Sequence, residues 1–127
     1  MKTIASKDAP SAVGPYCQAM VHGSVVYCSG QIGLKPDGSW AGDSVGTQAK
    51  QALENLHGVL TAASSSPDQV IRATVFLTSM DDFAEVNAIY TAFFGEHQPA
   101  RACIEASRLP KDAKVEISCI AAVKAGA

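Results

Sequence analysis

Gln98-Pro99-Ala100-Arg101-Ala102-Cys103-Ile104-Glu105-Ala106-Ser107-Arg108-Leu109-Pro110 reads, between its two prolines, as a β-strand. Side chains alternate with period two: Ala102, Ile104 and Ala106 share one face, and Arg101, Cys103, Glu105 and Ser107 share the other. Pro99 imposes extended backbone and restricts Gln98 as well. Arg101 therefore stands at the start of a rigid strand, beside a loop. Its guanidinium is a permanent cation with a planar fork of donors, matched to a carboxylate or a phosphate. By itself the stretch fits a solvated strand-end arginine or a structural salt bridge better than a ligand clamp.

Working upstream, Phe83, Val86, Tyr90 and Phe93 fall on one face of a helix. Asp81 or Asp82 opens it, Asp82 with Glu85 is compatible with a capping box, and Gly95 supplies a C-cap. Val70 to Thr78 precedes it as a strand, with Ile71, Ala73, Val75 and Leu77 on one face. Before that strand comes the clearest helix. Val45, Ala49, Ala52, Leu53, Leu56, Val59, Leu60 and Ala63 recur at helical spacing, Asp43 or Ser44 caps the start, and Ser64-Ser65-Ser66-Pro67 ends it without a glycine. Val25 to Ile32 is a strand that closes in Ser29-Gly30-Gln31, where the glycine leaves space for a ligand or another backbone. His22-Gly23-Ser24 is a tight turn leading into it from a strand over Tyr16 to Val21, and Lys2 to Ala5 forms a short edge strand.

Downstream, Lys111-Asp112-Ala113 is a turn. Val115, Ile117, Cys119 and Ala121 alternate as the last strand, with Glu116 and Ser118 on its opposite face. The order ββ(β)-α-β-α-β-β predicts an α+β fold, a mixed sheet with two helices on one face. The other face would still carry Val, Cys, Ile and Ala side chains and would need cover, most simply from further subunits.

The length of 127 residues fits a single domain over 1–127. Hydrophobic residues make up 47% and charged residues only 17%, which agrees with some apolar surface being covered by partner subunits. Net charge is −2 with no basic run, so a phosphate-backbone footprint, and with it nucleic-acid binding, is not expected. Cys17, Cys28, Cys103 and Cys119 show neither metal-knuckle nor redox-motif spacing, and His22, His57 and His97 stand apart from them. Reduced thiols in a cytosol-like compartment and no metal site are the expectation. No apolar run reaches membrane-spanning length, and the first residues lack the features of a targeting segment.

A Ser/His/Asp arrangement and a glycine-rich phosphate loop are both missing. What remains is a set of polar candidates. Arg101 suits an acid clamp. Glu116 suits ordering a water or accepting a proton, or equally a strand carboxylate in solvent or paired with Lys114. Tyr16 fits an interface aromatic, and Ser29 precedes a glycine without forming a Gly-x-Ser-x-Gly elbow. Asn87 sits mid-helix, where an exposed or bonded amide is the default. Cys103 shares the face of Arg101, but no base flanks it, which favours an inert thiol over a nucleophile.

Taken jointly, Gly14-Pro15-Tyr16-Cys17-Gln18-Ala19, Ser29-Gly30-Gln31-Ile32, Gln48 with Asn55-Leu56, Phe83 with Asn87 and Tyr90, Pro99-Ala100-Arg101, Leu109-Pro110 and Val115-Glu116-Ile117 stand in a familiar order and spacing. The chain thereby resembles the reactive intermediate (enamine/imine) deaminase, or Rid, family, also called YjgF-type or L-PSP proteins. The resemblance covers essentially the whole chain. It implies a chorismate-mutase-like α+β fold and a homotrimer with active sites between subunits. By the same resemblance, Arg101 would hold a substrate carboxylate bidentately and Glu116 would orient the attacking water. Tyr16, the backbone at Ser29-Gly30 and that near Cys103 would line the cleft, with Asn87 at its edge. Cys17 stands where the family often has serine, which opens a route to redox sensitivity.

The implied reaction is hydrolysis of small 2-imino or enamine acids, such as 2-aminoacrylate and its 2-iminopropanoate tautomer, to 2-oxo acids and ammonia. An imine carbon is already electrophilic, so the site need only hold the acid, place water about 3 Å away and assist proton transfer. No cofactor is expected. The expected partners are other copies of the chain and small 2-imino or 2-oxo carboxylic acids, with no membrane. The expected location is the cytoplasm, or an organelle in a eukaryote. Two other functions attach to the family: a non-catalytic small-acid-binding regulatory or chaperone-like trimer, and an endoribonuclease or translation inhibitor. The charge balance argues against the latter.

Overall fold

Two strand–helix–strand crossovers organise the chain, whose computed structural model describes residues 1–125. The strands are β1 (Lys2–Ile4), β2 (Ala19–His22), β3 (Val25–Gln31), β4 (Val70–Leu77), β5 (Ala100–Glu105) and β6 (Val115–Ala122); the helices are α1 (Val45–Ala62) and α2 (Phe83–Phe94). They form one sheet in the order β1-β2-β3-β6-β4-β5. Every neighbouring pair is antiparallel except β4 with β5. The first crossover runs β3-α1-β4 and the second β4-α2-β5. α1 packs over β3 and β6 and beside α2. The expected mixed sheet with two helices on one face is the fold observed.

Local chemistry sets the elements. Ser44 caps α1, its side chain accepting from the Thr47 N–H at 3.1 Å. At the other end Ser64 adopts φ 60°, the left-handed conformation that usually falls to glycine. The Ser64 N–H donates to Thr61 O and the Ser65 N–H to Leu60 O, a Schellman closure built without glycine. Gly95 ends α2 with φ 65°. In the β2–β3 hairpin, Gly23 carries the positive φ that a two-residue turn requires.

The core lies between the sheet and α1. Leu53, Leu56, Val59 and Leu60 of α1 meet Val26, Val75, Leu77, Val115 and Ile117 of the sheet, all fully buried. Burying side chains of this size contributes about 1.5–3 kcal/mol each. Truncating one, as in Leu56→Ala, would cost about 2–5 kcal/mol.

Four local expectations differ from the structure. Ile71 does not join Ala73, Val75 and Leu77 inside: the register of β4 against β6 shifts between Val70 and Arg72, which leaves Val70 buried and Ile71 51% exposed. On α2 the buried residues are Val86, Tyr90 and Phe94, while Phe83 is exposed and Phe93 half-buried. Asp82 makes no capping bond; instead the Ser79 hydroxyl accepts from the Asp81 N–H, opening the short turn before α2. The strand expected over Tyr16 to Val21 begins only at Ala19, which leaves Tyr16 in the preceding loop.

Candidate active site

The sheet register decides which candidates can meet. Arg101 pairs with Ala73, and Ala73 with the buried Cys119, so this row lies under the helices. Glu116 pairs with Phe76, and Phe76 with Ile104, a row on the opposite face. Within one chain, therefore, the two charged candidates are separated by the sheet.

The Arg101 side is built by α2. Phe83, Asn87 and Tyr90 occupy positions i, i+4 and i+7 and so share one helix face. Arg101 Nη1 donates to Asn87 Oδ1 at 2.7 Å. Its guanidinium carbon lies 4.8 Å from the centroid of the Tyr90 ring and 5.7 Å from that of Phe83. Among the described residues no carboxylate stands within ion-pair distance of it. Arg101, Asn87 and Tyr90 line a cavity of about 370 Å³ with Thr91, His97 and Gln98. Cys103 follows on the same face, paired with Val75. Burial pushes its thiol up and Arg101 pulls it back. The net rise makes an inert thiol, not an activated nucleophile.

The Glu116 side is built by a bulge. The β3–β6 register slips between Cys28 and Gln31, at Ser29 and Gly30. A Cβ added to Gly30 would stand 2.8 Å from both the carboxyl carbon and Oε2 of Glu116, so no other residue fits without moving the carboxylate. The Ser29 hydroxyl donates to Cys17 O at 2.7 Å, and its N–H to Gln18 O at 2.9 Å. Tyr16, Gly30, Glu116, Gln18 and Lys111 line a cavity of about 70 Å³. Glu116 is half-buried, and among the described residues it makes neither a hydrogen bond nor an ion pair; Lys114 does not pair with it. Burial holds its carboxyl above the usual glutamate value. An unpaired, desolvated carboxylate of this kind is suited to holding a water or taking a proton.

Three buried amides, read in the sequence only as motif positions, hold the loops around this cavity. Gln18 bonds the backbone of Ser6, Ala9 and Pro10. Gln48 bonds Gly42 O and the Lys114 N–H. Asn55 bonds Ile32 O and Leu34 O. Lys111 and Asp112, read only as a turn, take φ 56° and 60°, two adjacent non-glycine residues in the left-handed region at the cavity rim. The aromatic contacts of Tyr90 and Phe83 with Arg101 were also not drawn from the sequence, although their spacing to Asn87 is the signal that holds them.

Among the described residues no group of three or more His, Cys, Asp or Glu could hold a metal ion, and no helix is long and apolar enough to cross a membrane.

Comparison with known proteins places this arrangement in context. Residues 6–123 match the family described as endoribonuclease L-PSP. The 2-iminobutanoate/2-iminopropanoate deaminase of Salmonella typhimurium is 47% identical over 123 residues, covering 94% of this chain and 96% of that protein. The protein of the same name from Escherichia coli is 45% identical with the same coverage. The crystal structure of E. coli TdcF with bound serine superposes with a TM-score of 0.93 at 42% identity, covering 98% of this chain and all of that one.

Proposed function

This chain belongs to the L-PSP family, and from that premise we propose that it is a 2-iminobutanoate/2-iminopropanoate deaminase, hydrolysing reactive imino acids to 2-oxo acids and ammonia. The observation that carries the reading is the division of the site. Among the described residues, a cation without an acidic partner lies on one sheet face and an unpaired, desolvated carboxylate on the other. Each supplies what the other lacks, and only a second copy can bring them together. The largely uncovered face bears Tyr27, Ile104 and the displaced Ile71 as exposed apolar side chains. A homotrimer with sites between subunits is the arrangement that serves both needs.

In this reading Arg101 receives the substrate carboxylate through the donors that Asn87 leaves free. Glu116 of a neighbouring copy takes a proton from water as its oxygen bonds the imine carbon. That proton passes to nitrogen, giving a carbinolamine; the proton of the new hydroxyl then follows it to nitrogen, so that C=O forms as the C–N bond breaks and ammonia leaves the 2-oxo acid. Gly30 keeps the backbone close to the carboxylate. Tyr16 borders the same cavity, Ser29 secures the bulge, and Cys103 packs beside Arg101 without bonding chemistry. All of these steps use the chain's own side chains and one water.

The test couples the purified protein to a serine or threonine dehydratase and follows 2-oxo acid release with wild type and Arg101→Ala. Acceleration by wild type that disappears in the variant supports imine hydrolysis at Arg101. If wild type gives no acceleration while 2-oxobutanoate binds and raises Tm, a small-acid sensor replaces the hydrolase. Salt-sensitive RNA cleavage instead would favour an endoribonuclease.

A further inference from the structure

We propose that Tyr90 is a positioning residue for the carboxylate clamp, its ring forming, with Phe83 farther out, the seat on which the Arg101 guanidinium rests. The inference depends on the reading of Arg101 as the group that binds the substrate carboxylate. It explains how that group is held.

A clamp must keep a long, flexible side chain in one orientation before the ligand arrives. An acidic neighbour would do this at the expense of function, because its carboxylate would occupy the donors meant for the substrate. The structure uses two other devices. Asn87 Oδ1 accepts from Nη1 at 2.7 Å, which engages one of five N–H groups. The Tyr90 ring lies under the guanidinium carbon at 4.8 Å, inside the range of a cation–π contact, with Phe83 at 5.7 Å. A ring offers no lone-pair acceptor, so unlike a carboxylate it claims none of the donors that match the substrate acid. Tyr90 is itself immobile: it is only 8% exposed, and its ring packs against Phe94 at 4.6 Å. The seat is thus rigid and neutral.

The hydroxyl of Tyr90 points to the ring as the working part. It is buried with no hydrogen-bond partner among the described residues. Such a group disfavours the folded state. Burial drives it toward the neutral phenol, with Arg101 opposing. Removing the oxygen should therefore leave the seat intact and relieve the buried polar atom.

The decisive experiment replaces Tyr90 with Phe, 4-fluoro-, 3,5-difluoro- and 3,4,5-trifluorophenylalanine, and separately with Leu, in the full chain. Each fluorine weakens the negative face of the ring with little change of shape. The readouts are Kd for 2-oxobutanoate by calorimetry, turnover of imine generated in situ, and Tm. The expected result is a Phe variant within about twofold of wild type in Kd and higher in Tm. Kd should then rise stepwise with fluorine count, about fivefold to tenfold across the series, with kcat nearly constant. Tyr90→Leu should match or exceed the trifluoro variant. A Kd that ignores fluorination while Arg101→Ala abolishes binding would overturn the proposal and leave the deaminase reading standing. Binding unaffected by Arg101→Ala would overturn both. A Leu variant whose only change is in Tm, with Kd as in wild type, would reduce Tyr90 to core packing and also overturn it.

Discussion

The two faces of the sheet treat their charged residue in opposite ways. On the covered face Arg101 is held by an amide at 2.7 Å and two aromatic rings. On the uncovered face Glu116 lies against Gly30 and the bulge of β3 and, among the described residues, makes no bond of its own. One half-site is preorganised by its own helix. The other is kept desolvated and unsatisfied. The difference follows from function as proposed: a clamp gains from being rigid before binding, whereas a base must keep its lone pairs free for water.

The largest effect should come from separating the halves. Arg101→Ala removes the charged partner of a carboxylate, about 3 kcal/mol or roughly a hundred-fold in kcat/KM. Glu116→Gln should be similarly inactive in steady-state assays. Mixing the two variants after joint refolding should restore activity, to about a quarter of wild type for random assembly of heterologous interfaces. Failure of the mixture to recover, with both variants assembled, would show that the halves do not serve one site.

Next in size is Gly30→Ala. Its methyl would collide with the Glu116 carboxylate at 2.8 Å, and kcat should fall about tenfold, equivalent to about 1.4 kcal/mol, while Kd for 2-oxobutanoate stays near wild type. On the other face, Asn87→Ala should raise Kd for 2-oxobutanoate about tenfold, the loss of one charge-assisted hydrogen bond, with kcat little changed. If both variants moved the same parameter, the assignment of binding to one face and proton transfer to the other would fail.

A pH experiment sharpens the comparison. Burial raises the Glu116 carboxyl above its ordinary value of 4.5, so the folded state holds this proton more tightly than the unfolded chain. Below the unfolded value both states are protonated and the group has no effect. As pH rises through the unfolded and then the folded value, the ionised carboxylate works against the native state. Glu116→Gln should therefore raise Tm at neutral pH and leave it unchanged near about pH 3. The acid limb of kcat/KM in wild type should have its midpoint above 4.5. An acid limb below that value would contradict a desolvated carboxylate.

The smallest effect concerns the rim. Lys111 holds φ 56° without being glycine. Lys111→Gly should stabilise the fold by about 0.5 kcal/mol, the left-handed penalty less the added chain entropy. Chemical denaturation measures it, and a loss of stability would mean that the Lys111 side chain contributes packing at this rim.

Much of this was legible in the chain. The spacing of Val45 through Ala63 specified α1, and Val115 through Ala121 specified both β6 and its inward face, because the alternate residues Glu116 and Ser118 are polar. The motif positions Arg101, Asn87, Gly30 and Glu116 were singled out in the sequence, and the structure gathers them as two pairs, Arg101 with Asn87 and Gly30 with Glu116. Ile71 was misplaced because a bulge adds a residue to one strand, which no period-two pattern records. Phe83 was misplaced because its contact is with Arg101, not with the core.

What sequence alone determined was the set of elements, their order, and the chemistry available at each position. These are local properties: apolar spacing, caps, and residue types that do or do not carry charge. What only the tertiary structure decided was the side of the sheet on which each charge emerges. In β5 the alternation sets Ala102 and Ile104 against Arg101 and Cys103, and pattern by itself would turn the more apolar pair to the helices, the reverse of what the register does. Pairing of Arg101 with Ala73, of Ala73 with Cys119, and of Glu116 with Phe76 settles it. Face is a property of register across strands distant in sequence, and one unpaired residue at a bulge reverses it.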